Sequence, residues 1–162
     1  AQQEKKMKIT AKDILQEKGG HMVTINSDAT VYQALTAMTQ NKVGSIVVVE
    51  EEKIIGIWTE RDLMFRALEE GFAPKTARLK DNMSESLISA NVEEQAIQLY
   101  DKFLGRRVRH LLIEEDGEYI GLLSVGDVMK ANLQQKSEEY EELNHMVSLE
   151  YYENWKEIQS ER

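Results

Sequence analysis

The stretch IGIWTERDLM (residues 55–64) returns in altered form 65 residues later as IGLLSVGDVM (residues 120–129). Each copy has a glycine before an apolar pair, a hydroxyl residue after the pair, and an aspartate three positions after the hydroxyl. The shift aligns the distinctive residues of the two copies: Gly56 with Gly121, Thr59 with Ser124, and Asp62 with Asp127. Such a repeat predicts two structural units of the same kind within one chain.

The overall composition indicates a folded protein outside the membrane. Of the 162 residues, 41% are hydrophobic and 30% are charged, which is typical of globular proteins. No apolar run approaches the roughly 18 residues that a membrane span requires, and the first ten residues lack the apolar core of a signal peptide. We therefore expect a soluble, cytoplasmic protein that does not associate with membranes.

Charge and motif content exclude several classes of function. The net charge of −9 disfavours general binding to nucleic acid, because such binding depends on neutralising phosphates. The chain has no cysteine, so it has no disulfide, no catalytic thiolate and no cysteine-ligated zinc. Glycine-rich phosphate loops and the G-x-S-x-G motif are absent, and His21, His110 and His145 are far apart in the sequence. The sequence predicts neither a catalytic site nor a metal site.

Apolar periodicity predicts the same order of elements in both repeats: strand, helix, strand, strand, helix. In the first repeat we expect a helix capped by Ser27 or Asp28, a hairpin of SIVVVE and IIGIW, and a helix from Glu60 to Leu68 that stops before Gly71. In the second repeat LISA, VEEQAIQLYDKFLG, RHLLIEE and YIGLL take the same places, and a helix starts near Val125. The predicted fold class is α+β, with two β-α-β-β-α repeats.

The repeats also suggest how the chain is divided. A short lead precedes each repeat, KDIL at residues 12–15 and KDNM at residues 80–83, and the first lead is followed by an inserted QEKGGH at residues 16–21. The segment with the only proline, Pro74, has no apolar periodicity and is interpreted as a linker. The predicted divisions are an N-terminal segment 1–8, a first repeat 9–72, a linker 73–79, a second repeat 80–132 and a tail 133–162.

The C-terminal tail has the pattern of a long amphipathic helix. No glycine or proline follows Gly126, so one helix is expected to continue to the C-terminus. An apolar stripe recurs with the 3.6-residue period of a helix: Tyr140, Leu143, Val147, Tyr151, Trp155 and Ile158. The stripe is expected to pack either on its own subunit or against a second one.

The repeated T/S-x-x-D element has two interpretations. As a structural element, the hydroxyl of Thr59 or Ser124 caps the next helix, and the aspartate three positions later favours the helix start. As a binding element, the same hydroxyl contacts a phosphate, and the carboxylate accepts both hydroxyls of a ribose.

A cluster of basic residues in the second repeat favours the binding interpretation, because helix capping does not require cations. The stretch GRRVRH lies at the start of the second predicted strand of that repeat and contains Arg106, Arg107, Arg109 and His110. Balancing the charge of an acidic chain is the alternative role for these residues.

Together these stretches resemble a tandem pair of cystathionine β-synthase (CBS) domains, also called a Bateman module. The resemblance covers residues 9–132 approximately, and it is closest to stand-alone CBS-pair proteins of bacteria and organelles. It implies two repeats packed around a pseudo-two-fold axis and two clefts between them that accept adenosyl ligands such as AMP, ADP, ATP, NAD or S-adenosylmethionine. It also implies that two modules associate into a flat homodimer.

By position, the resemblance implies one cleft at Thr59 and one at Ser124, which we name after these residues. The Thr59 cleft would contain Thr59, Asp62, Ile88, Ser89, Val108, and Arg109 or His110, with Arg61 as a further candidate for a phosphate. The Ser124 cleft would contain Ser124, Asp127, Thr24, Asn26, Gly44 and Ser45, with Arg109 near the phosphate. Because Gly44 and Ser45 align with Arg109 and His110, the two clefts are expected to be unequal.

The function implied is regulatory and non-enzymatic. The ligand would favour one orientation of the repeats, and an unidentified partner protein would respond to that orientation. No obligatory cofactor is expected. The alternative is a ligand-free structural module that serves to dimerise through its tail.

Overall fold

The computed structural model describes residues 8–19 and 22–160. Beyond Leu143 it describes the backbone and, of the side chains, only that of His145. The first repeat contains β1 (Thr24–Asn26), α2 (Val31–Asn41), β2 (Ser45–Glu50), β3 (Lys53–Thr59) and α3 (Glu60–Arg66), and α1 (Ala11–Lys18) precedes it. The second repeat contains β4 (Ser89–Asn91), α5 (Ala96–Arg106), β5 (His110–Glu115), β6 (Glu118–Ser124) and α6 (Val125–Ser160), and α4 (Leu79–Asn82) precedes it. The predicted α+β fold of two β-α-β-β-α repeats with a long C-terminal helix is confirmed.

Each repeat forms a three-stranded sheet with the same topology. In order, β1 pairs in parallel with β2 and β2 pairs antiparallel with β3, and β4, β5 and β6 repeat this arrangement. The register places Ser45 opposite Thr59 and His110 opposite Ser124. As a result, the open end of each β-hairpin, away from its turn, lies beside the start of the helix that carries the T/S-x-x-D aspartate.

The lead of each repeat packs on the other repeat. Ile14 and Leu15 of α1 are buried in one core with Leu99, Leu111 and Leu123 of the second repeat. Conversely, Leu79 of α4 is buried in the core of the first repeat with Trp58 and Met38. This exchange joins the two repeats, although the order of the sequence assigns each lead to the repeat that follows it.

The exchange explains the glycine in each copy of the opening motif. A Cβ atom added at Gly121 would lie 2.6 Å from Cδ2 of Leu15, and one added at Gly56 would overlap Sδ of Met83. Each glycine therefore leaves the space that the lead of the other repeat occupies on the sheet.

Two local predictions are corrected by the structure. The first helix of the first repeat is capped by Thr30, in a reciprocal box with Gln33, and not by Ser27 or Asp28. Ser27 is buried, and its hydroxyl donates to Oε1 of Glu50 at 2.9 Å. In addition, α3 ends at Arg66, earlier than the predicted Leu68.

The tail is helical, as predicted. Helix α6 runs from Val125 to Ser160, and its first turns bury Val128 and Ala131 in the second core. Further along, Tyr140 and Leu143 are exposed. The other side chains of the predicted stripe lie outside those described: Val147, Tyr151, Trp155 and Ile158. In the described ranges no helix combines the length and apolarity that crossing a membrane requires.

Candidate functional site

Both T/S-x-x-D elements form reciprocal helix caps. The backbone amide of Thr59 donates to Oδ2 of Asp62 at 2.9 Å, and the amide of Asp62 donates to the Thr59 hydroxyl at 3.3 Å. The amides of Ser124 and Asp127 make the equivalent bonds at 2.8 Å and 3.1 Å. The capping interpretation is confirmed for both copies, and it uses only one oxygen of each carboxylate.

The Thr59 cleft is a cavity between the two repeats with a volume of about 180 Å³. The first repeat contributes the start of α3, and the second contributes the start of β5 and the segment before β4. Seven residues predicted for this cleft line it: Thr59, Arg61, Asp62, Ile88, Val108, Arg109 and His110. Gly44, predicted for the other cleft, also lines this one.

Backbone pairing holds the walls of this cleft. The amide of Ile57 donates to the carbonyl of Ser84 at 2.9 Å, and the amide of Ser84 donates back at 3.0 Å. This bridge holds Ser84 at the edge of β3. On the opposite wall the amide of Glu60 donates to the carbonyl of Gly44 at 3.1 Å. A Cβ at Gly44 would lie 3.2 Å from Oε2 of Glu60, so the glycine allows this close approach.

Opposite charges meet at the Thr59 cleft. Arg107 and Arg109 come from the second repeat, and Glu60, Arg61 and Asp62 come from α3 of the first. The guanidinium of Arg61 donates to the carbonyl of Arg107 at 3.2 Å, which links the repeats across the cleft. Within the described residues, Oδ1 of Asp62 accepts no hydrogen bond. The cleft therefore combines a free carboxylate oxygen with three guanidinium groups, which suits a ligand with hydroxyl groups and an anionic group.

His110 lines the Thr59 cleft and lies opposite Ser124 in the pairing of β5 with β6. Burial lowers the pKa of its imidazole below the ordinary value of 6.5, and the charges of Lys18 and Arg109 lower it further, while Asp127 and Glu60 oppose this shift. The ring is therefore neutral at pH 7 and can both donate and accept a hydrogen bond.

At the position predicted for the Ser124 cleft, the carboxylate of Asp127 has a partner that Asp62 does not have among the described residues. Oδ2 of Asp127 accepts from the ammonium group of Lys18 at 2.8 Å, and the same ammonium donates to the carbonyl of Leu122 at 2.9 Å. Burial alone would raise the pKa of Asp127, but Lys18 and the amide of Ser124 outweigh burial and hold this pKa below its ordinary value of 3.8.

The structure places the remaining predicted residues as follows. Thr24 and Asn26 are exposed on β1, and Ser45 is buried in β2. None of the three bonds to Ser124 or Asp127 in the described part of the chain. Ser89 lies outside the lining of the Thr59 cleft, and its hydroxyl is 3.5 Å from Oε2 of Glu114.

Sequence reasoning missed Lys18 and the walls formed by Glu60, Ser84 and Ser86. The insertion after the first lead was the available signal for Lys18, because it broke the symmetry of the repeats. No group of three or more His, Cys, Asp or Glu residues suited to a metal ion occurs among the described residues.

Comparison with known proteins agrees with this architecture. The CBS domain model matches residues 11–69 and 78–134. A mitochondrial CBS domain-containing protein of Arabidopsis thaliana is 33% identical over 147 residues, which are 85% of this chain and 71% of the relative. The crystal structure of a CBS-domain-containing protein of Agrobacterium tumefaciens is 31% identical, with a TM-score of 0.72 over 76% of this chain and 98% of that one.

A further crystal structure similar to this chain is that of a hexameric CBS-CP12 protein from bloom-forming cyanobacteria. It is 27% identical, with a TM-score of 0.66 over 76% of this chain and 67% of that one. The match of both repeats to the CBS model, together with the relative of 33% identity, shows that this chain belongs to the CBS-domain family and carries a tandem pair of CBS repeats.

Proposed function

We propose that this CBS pair is a regulatory module that binds an adenosyl ligand in the Thr59 cleft and passes the state of occupancy to a partner protein. The observation that carries the proposal is the composition of one cleft from both repeats. Asp62, which has one carboxylate oxygen without a hydrogen bond among the described residues, lines a cavity that is also lined by Arg107 and Arg109 of the other repeat. A ribose hydroxyl and a phosphate require these two kinds of partner.

The apolar part of the lining suits the base of such a ligand. Ile57, Leu87, Ile88 and Val108 surround the cavity along with the polar groups. An apolar wall with a few placed polar groups is typical of small-molecule sites. AMP, ADP, ATP, NAD and S-adenosylmethionine share the adenosyl group that this wall and Asp62 would bind, and no obligatory cofactor is proposed.

Signalling would arise because the ligand touches both repeats. A ligand that bridges α3 and β5 favours the relative orientation in which both sets of contacts form. The bond from Arg61 to the carbonyl of Arg107, the C-cap residue of α5, already links the two repeats at the edge of the cleft. The unidentified partner would bind one orientation more tightly than another, without any catalytic step in this chain.

We further propose that the module works as a homodimer. Several large apolar side chains of α3, of the segment just after it and of the first turns of α6 are exposed: Met64, Phe65, Leu68, Met129 and Leu133. Contiguous exposed apolar surface is a common mark of an interaction site. Light scattering of the purified protein should give twice the mass of one chain.

A ligand-free structural module is the second candidate. It is favoured by the reciprocal caps, which account for both aspartates without a ligand. Isothermal titration with AMP, ATP, NAD and S-adenosylmethionine separates the candidates. The regulatory proposal expects at least one of them to bind, and a ligand at a hundred times its dissociation constant should raise stability by about 2.7 kcal/mol. Absence of binding by all four would favour the structural module.

A further inference from the structure

The ammonium group of Lys18 binds the carboxylate of Asp127 in the Ser124 cleft. Among the described residues, no lysine binds the equivalent carboxylate of Asp62 in the Thr59 cleft. The ammonium group of Lys18 also bonds to the carbonyl of Leu122. The paired side chains are about one-third exposed or less, at 33% for Lys18 and 27% for Asp127. Water screens a partly buried ion pair less than an ion pair on the open surface, so the partly buried pair interacts more strongly.

The insertion after the first lead brings Lys18 to this position. Thr24, at the start of β1, lies nine positions after Leu15, whereas Ser89, at the start of β4, lies six positions after Met83. The longer connection lets α1 continue to Lys18 and end at Gly19, whose φ of 90° forms the C-cap. In contrast, α4 ends at Asn82.

The two clefts are closed by different groups at equivalent positions. In the Thr59 cleft the carbonyl of Ile57 accepts from the backbone amide of Ser84. The equivalent carbonyl in the Ser124 cleft, that of Leu122, accepts from the side chain of Lys18. A positive charge therefore lies beside Asp127, where the Thr59 cleft has a neutral backbone.

The cations that could attract a phosphate are also distributed unequally. Arg61 and Arg107 line the Thr59 cleft, and the 65-residue shift aligns them with Gly126 and Lys42. The Ser124 cleft thus has a carboxylate that is already neutralised and lacks the arginine at the start of its helix.

We propose that Lys18 is an internal competitor for Asp127, which weakens adenosyl binding in the Ser124 cleft and leaves the Thr59 cleft as the primary site. The inference rests on the proposed function. Hydrogen bonds from ribose hydroxyls to a free carboxylate are charge-assisted, and an ammonium on the same carboxylate removes much of that assistance. A ligand that binds Asp127 would compete with Lys18 for this carboxylate, so filling the second site would also loosen the end of α1.

The test measures the Ser124 cleft alone. In a background with Asp62→Asn, titration with AMP reports the remaining site, and Lys18→Met removes the ammonium while keeping the length of the side chain. We expect Lys18→Met to tighten AMP binding by about five- to tenfold. Lys18→Arg should behave like the unmodified side chain, because it retains the charge.

Lys12→Met is the matched control. Lys12 lies on the same helix and pairs with Glu115 of the second repeat at 2.9 Å, away from Asp127. This change should leave the AMP affinity as it was. Adenosine serves as a second probe, because it lacks the phosphate to which a lysine could bind directly, and Lys18→Met should tighten its binding as well.

The results distinguish the inference from the proposed function. If the wild-type protein binds AMP through Asp62 but Lys18→Met leaves the Ser124 cleft unchanged, the inference is wrong and the proposed function stands. Weaker AMP binding in Lys18→Met would assign Lys18 to the phosphate and would also overturn the inference. If neither the wild-type protein nor any of the variants binds AMP or adenosine, the proposed function fails and the inference fails with it.

Discussion

The Thr59 cleft and the Ser124 cleft begin with the same cap, but their charges differ: Asp62 and three arginines line the Thr59 cleft, whereas Oδ2 of Asp127 is paired with Lys18. The shared part comes from the repeat itself, because the cap and the register are set by residues that the 65-residue shift preserves. The difference comes from residues outside the shared motif. A duplicated scaffold can therefore hold two sites of unequal chemistry, and each prediction below tests one level of this comparison.

The largest expected effect concerns the exchanged leads. Leu79 directly precedes the lead of the second repeat and starts α4, but it is buried in the core of the first repeat. Leu79→Ala should reduce the free energy of unfolding by about 2–5 kcal/mol, because it removes buried methyl groups and leaves a cavity. Urea unfolding measures the loss, and in a Trp155→Phe background the fluorescence of Trp58, which is buried in the same core, reports where it acts.

The matched variant for this prediction is Leu15→Ala, which should weaken the core of the second repeat. Hydrogen exchange should show the first loss of protection in β2 and β3 for Leu79→Ala, and in β5 and β6 for Leu15→Ala. Loss of protection in the repeat that directly follows each lead would contradict the exchange.

The second prediction compares the two aspartates. Asp62→Asn keeps an oxygen for the cap but removes the charge, so AMP affinity in the Thr59 cleft should fall by about 1.5–3 kcal/mol, or roughly ten- to a hundredfold. Asp127→Asn should weaken AMP binding much less, because Lys18 already neutralises that carboxylate. Calorimetric titration measures both, and equal losses would remove the distinction between the clefts.

The sequence predicted the repeated scaffold well because hydrophobic period and hairpin pattern are local properties. The strand SIVVVE was predicted with the bounds that the structure gives it, and the T/S-x-x-D caps followed from residue type and spacing alone. For the clefts, Thr59, Asp62, Val108 and Arg109 were grouped through the resemblance to a family, and the structure brings them to one cavity.

Other features could not be predicted, because they depend on contacts between distant parts of the chain. The pairing of Lys18 with Asp127 joins residues that are 109 positions apart. The exchange of leads has the same origin, since nothing in KDIL or KDNM indicates which sheet will bury it. The wrong cap at Ser27 shows a related limit: a buried hydrogen bond to Glu50 competed with capping, and Thr30 was equally suited to the cap.

The third prediction concerns His110, which aligns with Ser45 in the other repeat. Its pKa in the folded protein is below 6.5, chiefly because of burial. As the pH falls below 6.5, the unfolded chain gains a proton that the folded chain resists, so stability should decrease by at most about 1.4 kcal/mol per pH unit. His110→Asn should remove this slope in urea unfolding between pH 6.5 and pH 5. A slope that persists in the variant would assign the effect to other groups.

The smallest effect is expected at the two hairpin turns, where the repeats differ in residue type but not in shape. Glu51 and Glu52 have φ values of 48° and 64°, and the equivalent Asp116 and Gly117 have 51° and 84°. Two positive values are characteristic of the turn that best matches the twist of a hairpin, and Asn-Gly or Asp-Gly is its preferred sequence. Replacing Glu51-Glu52 by Asp-Gly should therefore stabilise the protein by about 0.5–1 kcal/mol, since it relieves the cost of a left-handed conformation in a residue with a Cβ atom. Thermal unfolding measures the gain, and the reverse replacement of Asp116-Gly117 by Glu-Glu should cause a similar loss. If both variants melt at the wild-type temperature, the two turns are equivalent in energy, and the difference between the repeats is confined to the clefts.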